Sequence, residues 1–370
     1  MNLKQGQPLR ILFIGPEFYG SISGALARAF RRLGHVVKIV DPERYVSSAY
    51  KMPITKILRR LFRYIFLFEF GKEIVNQAEH LRPHFALVCK GTHVAPWVLR
   101  NLKKQRIYLT NFYPDTTYYN HGPLIPKCLG MYDHVFTTKR FGLKDLAERF
   151  NQRDAEFLAH GFDPGLHKPL PVTDEDLDRF GVEASFIGSW TPKKESYLAG
   201  LLKALPDLKL RIWGDLWGNA TSPVLASSIV GMAVVGDNYP LAIQCSTINI
   251  ALLLESKCDA SSGDQATTRT FEIPACGGFM LHERTEELRD YFIEGEEVAC
   301  FSSLEEMVEK IRYYLAHDEE RERLRLAGHR RCVAENSLDR RAMRIVEHYY
   351  ERFQDGFGPA VSNQDSDPTV

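Results

Sequence analysis

LRILFIGPEFYGSISGALARAFRRLGHVVKIVD, residues 9–41, reads as strand, glycine loop, helix, strand. Residues 9–14 are a short apolar run closed by Gly15, a helical stretch runs from Ser23 to Leu33, and a second apolar run ends at Asp41. That order is a βαβ unit. Outward from it, further buried-strand candidates follow at 85–90 (FALVCK), 107–112 (IYLTNF), 134–138 (HVFTT) and 156–160 (EFLAH), separated by helical or loop segments. Strands that are apolar throughout, rather than at alternate positions, are covered on both faces. The pattern therefore predicts a parallel sheet between helical layers.

Residues 161–175 (GFDPGLHKPLPVTDE) hold three prolines and little periodicity, which predicts an interdomain linker. A second alternation then begins, with strands expected at 184–189, 208–213, 233–236, 248–254, 278–282 and 298–301. Helices are expected at 193–204, 238–246, 270–276, 284–293, 303–316, 318–335 and, strongly amphipathic, about 338–353. Residues 355–370 are polar with Gly and Pro and read as a disordered tail. The expected organisation is a Rossmann-like domain over 1–165, a second over 166–337, a last helix over 338–354 and the tail over 355–370. A ligand cleft is expected between the two α/β halves.

The chain has 370 residues, with 47 Lys+Arg against 47 Asp+Glu and a formal net charge of zero. This balance excludes a broadly basic nucleic-acid binder and an acidic disordered chain, and 25% charged with 44% hydrophobic residues is ordinary for a globular enzyme. Seven cysteines, at 89, 128, 245, 258, 276, 300 and 332, form no Cys-x-x-Cys pair. They predict no zinc site or redox dithiol, and the odd count suits a reducing compartment. Neither a secretory leader nor an apolar run of membrane-spanning length is read, so the expected location is the cytoplasm.

Five places could carry chemistry. The loop from Gly15 through Glu17 and Gly20 to Gly24 joins a strand to a helix, where backbone N–H groups can hold an anion. It is not G-x-G-x-x-G, and a tight turn with Ser23 as N-cap explains it equally well; its functional reading is an acceptor-side wall. In 263–281 (GDQATTRTFEIPACGGFML), Asp264 lies in a loop and Glu272 in the first turn of a short helix, where a carboxylate can accept two hydrogen bonds from a ribose diol. Arg269, near the helix start, could hold a diphosphate or pair structurally with Glu272, and Gly277-Gly278, taken with the donor-binding residues, close the helix. Gly188-Ser189-Trp190-Thr191-Pro192-Lys193-Lys194 opens the second domain, with Lys194 a phosphate candidate or a solvated helix start. Asp115, in Asn111-Phe112-Tyr113-Pro114-Asp115, is a candidate base or a turn cap, and His93 is a weaker acceptor-side candidate. Asn238 and Tyr239 start a helix and could border the nucleoside.

Residues 54–70 place Ile54, Ile57, Leu58, Leu61, Ile65 and Phe68 on one helical face, with Lys56, Arg59, Arg60 and Arg63 elsewhere. A core-packed helix with a basic outer side is the plainer reading; a peripheral membrane helix facing anionic lipid is the other.

The 263–281 stretch resembles the Glu-x7-Glu signature of family 4-type GT-B glycosyltransferases, with Asp264 at the first Glu. Arg269-Thr270-Phe271-Glu272-Ile273-Pro274-Ala275-Cys276-Gly277-Gly278 is still more similar to the CgeB-like, spore-maturation glycosyltransferases. So are Gly15-Pro16 with the following glycines, Asn249-Ile250-Ala251-Leu252-Leu253, Glu287-Leu288 with Gly295-Glu296-Glu297, and Tyr313-Tyr314-Leu315 followed by Glu320-Arg321 and Gly328. The resemblance spans roughly 9–350. It implies a GT-B fold and a metal- and cofactor-independent hexosyltransferase of polysaccharide or glycoconjugate biosynthesis. The C-terminal domain would bind the nucleotide-sugar donor, and the final helix would cross back to the first domain. Glu272 would bind the ribose, Asp264 the donor sugar, and Lys194 with Arg269 the diphosphate; Ser189 and Pro114 stand where the family has Arg and His. The family is mostly retaining. The acceptor, whether glycan, lipid-linked glycan or protein, is not implied. A silent sugar- or nucleotide-binding protein and a nucleotide-sugar epimerase are the alternatives on the same fold.

Overall fold

The computed structural model describes residues 7–45, 56–254 and 260–353, with side chains of the helix at 56–81 described from Tyr64 onward. The chain divides into two compact units, Met1–Leu158 with Arg341–Val370, and Ala159–Arg340.

The first unit holds six parallel strands, β1 (Arg10–Ile14), β2 (Val36–Val40), β3 (Phe85–Cys89), β4 (Tyr108–Tyr113), β5 (His134–Thr137) and β6 (Ala155–Phe157), in the order β2-β1-β3-β4-β5-β6. Its helices are α1 (Ile22–Arg32), α2 (Lys56–Leu81), α3 (Pro96–Lys104), α4 (Leu124–Cys128) and α5 (Arg140–Phe150). Residues of β1, β3 and β4 are almost entirely buried, as the unbroken apolar sequence of β3 requires, and β4 buries Thr110 and Asn111 along with its apolar residues. Ser21, not Ser23, caps α1: its side chain accepts the Gly24 N–H at 3.1 Å, while Ser23 Oγ donates to the Pro16 carbonyl. The loop is therefore closed by its own serines.

In α2 the core face is Phe70, Ile74 and Ala78. Ile65 and Phe68, expected on that face, are 50% and 54% exposed, and Phe68 packs on Trp97 at the surface. Ile54 and the tail at 355–370 lie outside the described residues, as do the side chains of Lys56, Ile57, Leu58, Arg59, Arg60, Leu61 and Arg63. Among the described residues no helix is long and apolar enough to cross a membrane.

The second unit holds β7 (Val182–Ile187), β8 (Leu210–Trp213), β9 (Ser246–Ala251), β10 (Met280–Glu283) and β11 (Ala299–Phe301), all parallel, in the order β11-β10-β9-β7-β8. Its helices are α6 (Asp174–Phe180), α7 (Pro192–Ala204), α8 (Asn238–Gln244), α9 (Thr268–Ala275), α10 (Leu304–Ala316) and α11 (Asp318–Glu335). Helix α6 starts inside the segment expected to be linker, because Thr173 and Asp176 form a capping box there. Residues 233–236 form no strand: Val235 is 59% exposed, so its apolar side chain has no sheet to enter. Residues 284–293 give only a 3₁₀ turn at Glu287–Asp290, since Arg284 pairs with Glu294 at 2.7 Å and closes the segment as a loop.

Helix α12 (Leu338–Phe353) belongs from Arg341 onward to the first unit. There Tyr349 packs on Phe85 with ring centroids 5.4 Å apart, and Arg344 makes a two-pronged pair with Glu156 at 2.7 and 2.8 Å.

Candidate functional site

In the second sheet the strand order reverses at β7: β8 lies on one side of it and β9 on the other. Chain leaving two such neighbouring strands diverges, which opens space beyond their carboxyl ends. The loop after β7 begins at Gly188, whose N–H donates to the Trp213 carbonyl at 2.8 Å and whose own carbonyl accepts from the Trp217 indole at 2.9 Å. A Cβ on Gly188 would stand 2.8 Å from Arg269 Nη1 and 3.0 Å from the Phe186 ring. Glycine is what lets the Arg269 guanidinium lie against this loop.

Helix α7 follows with Pro192 in its first turn and Thr191 as N-cap. Its two lysines part company. Lys193 pairs with Glu283 at 2.6 Å, and the other oxygen of Glu283 accepts the Leu253 N–H at 3.0 Å. Lys194 is 5% exposed; its Nζ donates to the Ser189 carbonyl at 3.0 Å and stands 5.8 Å from the Phe186 ring centroid.

Helix α9 is fixed by a polar chain at its start. The Thr267 N–H donates to Thr270 Oγ1 at 3.0 Å, and Thr270 Oγ1 lies 2.9 Å from His282 Nε2. His282 Nδ1 lies 2.6 Å from the Glu283 carbonyl, an acceptor only, so Nδ1 carries the ring hydrogen and Nε2 accepts the threonine hydroxyl. Complete burial pushes the imidazole down to about 4.

On this anchored turn Arg269 Nη2 donates to the Leu252 carbonyl at 3.3 Å, and Cζ stands 5.6 Å from the Phe186 centroid. Arg269 Nε is buried without a hydrogen-bond partner. Among the described residues no carboxylate stands within 4 Å of its guanidinium, so the structural pair with Glu272 does not form. Two cations, Lys194 and Arg269, thus converge on one ring at the carboxyl edge of the sheet.

Glu272, less than one turn further along, accepts from the Tyr239 hydroxyl at Oε2, 2.6 Å away, and its Oε1 lies 3.8 Å from His167 Nε2. Burial first, and the Glu272 charge second, push the Tyr239 phenol well above its ordinary range, so it remains a donor. Asn238 turns instead to Arg179 at 3.4 Å and so is not brought to Glu272. Asp264 is half-buried in the loop before α9, its N–H donating to the Leu254 carbonyl at 2.9 Å.

Gly277 and Gly278 are not brought beside Arg269. They follow the carboxyl end of α9 and lead into the amino end of β10, the edge of the sheet away from Arg269. Gly277 has φ +79° as the helix terminates, and a Cβ on Gly278 would meet Ile243 at 2.4 Å. Turn geometry and packing account for both. His167, Phe186 and His282 were missed by sequence reasoning. No pattern marks a histidine between Pro164 and Pro169, and Phe186 reads only as core.

In the first unit, the order also reverses, between β1 and β3. A Cβ on Gly15 would stand 3.1 Å from Cys89, so glycine allows the loop after β1 to approach the end of β3, and Gly20 takes φ +84° in the turn. Glu17 lies 3.6 Å from Arg31 and 3.8 Å from Arg44. Asp115 is paired with Lys90 at 2.6 Å and lies 3.4 Å from His121 Nε2. His93 is half-buried in the loop after β3.

Elsewhere in this unit His134, Glu156 and His348 bring ligand-type atoms within 4.8 Å of one another. Arg344 already holds both oxygens of Glu156, so a cation there would have to displace it.

Residues 194–347 match the sequence model of a glycosyl transferase-like family. No curated protein sequence matches the chain. Among solved structures, the chain is similar to a glycosyltransferase from Rickettsia africae, at 15% identity and a TM-score of 0.66, over 94% of this chain and 100% of that one. It is also similar to sucrose-phosphate synthase from Thermosynechococcus elongatus, at 13% identity and a TM-score of 0.66, again over 94% and 100%. A third is the Anabaena protein HepE in complex with UDP-glucose, at 12% identity and a TM-score of 0.64, over 93% and 100%. At these identities the likeness is one of fold. The chain has the GT-B fold: two Rossmann-like α/β domains, each built on a parallel sheet.

Proposed function

We propose that the protein is a glycosyltransferase that takes a sugar from a nucleoside-diphosphate donor and passes it to an acceptor. The observation that carries this reading is the convergence of Lys194 and Arg269 on Phe186 at the switch point of the second sheet, with no carboxylate within 4 Å of Arg269 among the described residues. Cations held in place by the fold are what a diphosphate leaving group needs. Negative charge accumulates on its bridging oxygen as the glycosidic bond breaks, and fixed, partly buried cations stabilise that charge without first reorganising. Glu272 supplies the carboxylate for the ribose hydroxyls.

The finer parts of the reading rest on the sequence resemblance. They are a CgeB-like enzyme, transfer with retention, no metal requirement, contact of Asp264 with the donor sugar, and Asp115 as the base; a cytoplasmic location rests on the cysteine usage and apolar pattern of the sequence. The match of residues 194–347 to a glycosyl transferase-like family, and the UDP-glucose bound by HepE, support a nucleotide-sugar donor.

The test is a thermal-shift panel of UDP-, GDP-, TDP- and ADP-sugars followed by donor hydrolysis. A ligand that binds only the folded state raises the melting temperature by mass action. A shift with slow nucleotide release supports transfer, and a shift without release points to a silent binder. No shift with any of the four, or donor binding unchanged in Glu272→Ala, overturns the reading.

A further inference from the structure

We propose that His167, on the segment between β6 and α6, is a specificity-determining residue of the donor site: with Glu272 it takes one ribose hydroxyl and selects ribonucleotide over deoxyribonucleotide donors. The inference rests on the donor reading of Glu272 and goes beyond it.

The orientation of His167 is set by its neighbours. Its Nδ1 accepts the backbone N–H of Asp163 at 3.1 Å, which leaves the ring hydrogen on Nε2. Its backbone N–H donates to the Asp163 carbonyl at 2.8 Å, closing a tight turn. The Tyr239 ring lies against the imidazole, with centroids 5.5 Å apart. The same Tyr239 holds Glu272 through its hydroxyl. One tyrosine therefore fixes both partners, and both are largely buried, at 13% and 15% exposure.

The pair offers a donor, Nε2–H, and an acceptor, Oε1, 3.8 Å apart. That is too long for a hydrogen bond between them. A hydroxyl oxygen about 2.8 Å from each satisfies both at once, because a hydroxyl donates and accepts. A phosphate oxygen would be repelled by Glu272, and an ammonium would leave Nε2–H unpaired. A sugar hydroxyl is the group that matches, and its loss leaves both partners unpaired in a partly dry site.

The experiment is calorimetric titration of the wild-type chain with UDP, GDP, ADP and TDP, and with the 2′-deoxy and 3′-deoxy analogues of whichever ribonucleotide binds. His167→Ala and His167→Gln are titrated in parallel, and each variant is checked for folding by its melting curve. One of the two deoxy analogues is expected to bind wild type at least about tenfold more weakly than the ribonucleotide. His167→Ala should lose most of that discrimination, and His167→Gln, whose amide N–H can replace Nε2–H, should restore part of it. Equal binding of ribo- and both deoxynucleotides by wild type overturns the inference and leaves the donor reading standing. Full discrimination retained in His167→Ala also overturns it. Failure of all three ribonucleoside diphosphates with TDP bound instead overturns the inference and leaves the donor reading standing, and failure of all four overturns the donor reading and the inference with it.

Discussion

The Tyr239 hydroxyl donates to Glu272 Oε2 at 2.6 Å, across 33 residues of sequence. The bond joins the start of α8 to the body of α9 and holds the carboxylate in one rotamer. Tyr239→Phe removes a charge-assisted hydrogen bond from a partly buried group, so stability should fall by about 1–2 kcal/mol in urea unfolding. Nucleoside-diphosphate affinity should fall about three- to tenfold, because the freed Glu272 must then be ordered on binding. Calorimetry on the folded variant checks the second part; unchanged affinity would show that the hydroxyl does nothing for the site.

Lys193 and Lys194 are adjacent yet differently employed. Lys194→Ala, and equally Arg269→Ala, should weaken UDP binding at least about tenfold while leaving uridine binding unchanged, since in the proposed donor site only the diphosphate meets these cations. Lys193→Ala loses its pair with Glu283. It should cost about 1 kcal/mol of stability and change UDP affinity less than about threefold. Calorimetric titration of the three variants with UDP and uridine is decisive: a Lys193 effect as large as that of Lys194 would contradict the division of labour.

Much of this arrangement was legible in the sequence for identifiable reasons. The buried strands announce themselves because parallel strands covered on both faces leave no room for polar residues, as in FALVC at β3. Arg269 could be singled out because it sits at a helix start after a strand, and Glu272 because it follows within the same short helix, whereas Lys194 stands out from its neighbour Lys193 only through the family resemblance. The sequence could not say that Asn238 would turn away to Arg179, or that His167 would come to Glu272. Both depend on contacts across 59 and 105 residues of chain. Apolar runs misled at 233–236, where Val235 is exposed and the four residues form no strand. Helical periodicity put Ile65 and Phe68 on a core face, and the fold leaves these two side chains exposed.

Gly278 separates packing from ligand binding. A Cβ there would stand 2.4 Å from Ile243 Cγ2 and 2.8 Å from Asn249 Nδ2. Gly278→Ala should therefore destabilise the chain by about 1–3 kcal/mol through overpacking. The folded fraction should bind UDP as wild type does, because the strain lies at the amino end of β10. A large loss of affinity without loss of stability would return Gly278 to the binding site.

The buried histidines set an acid limit. His282 is fully buried and its imidazole is held down at about 4, while the unfolded chain titrates near 6.5. Between these values the unfolded state binds more protons than the native state, so stability is complete above about 6.5 and falls as the pH drops toward 4. His282 alone accounts for roughly 3 kcal/mol across that window. His84 and His348, also held down at about 4 chiefly by burial, act in the same direction. The depressed carboxylate of Glu306, at about 2, contributes only at lower pH. Urea unfolding at pH 7.5 and 5 should show the loss, and His282→Asn should be less stable at pH 7.5 but shallower in slope. An unchanged slope in that variant would mean that His282 takes up its proton without opening the Thr270 contact.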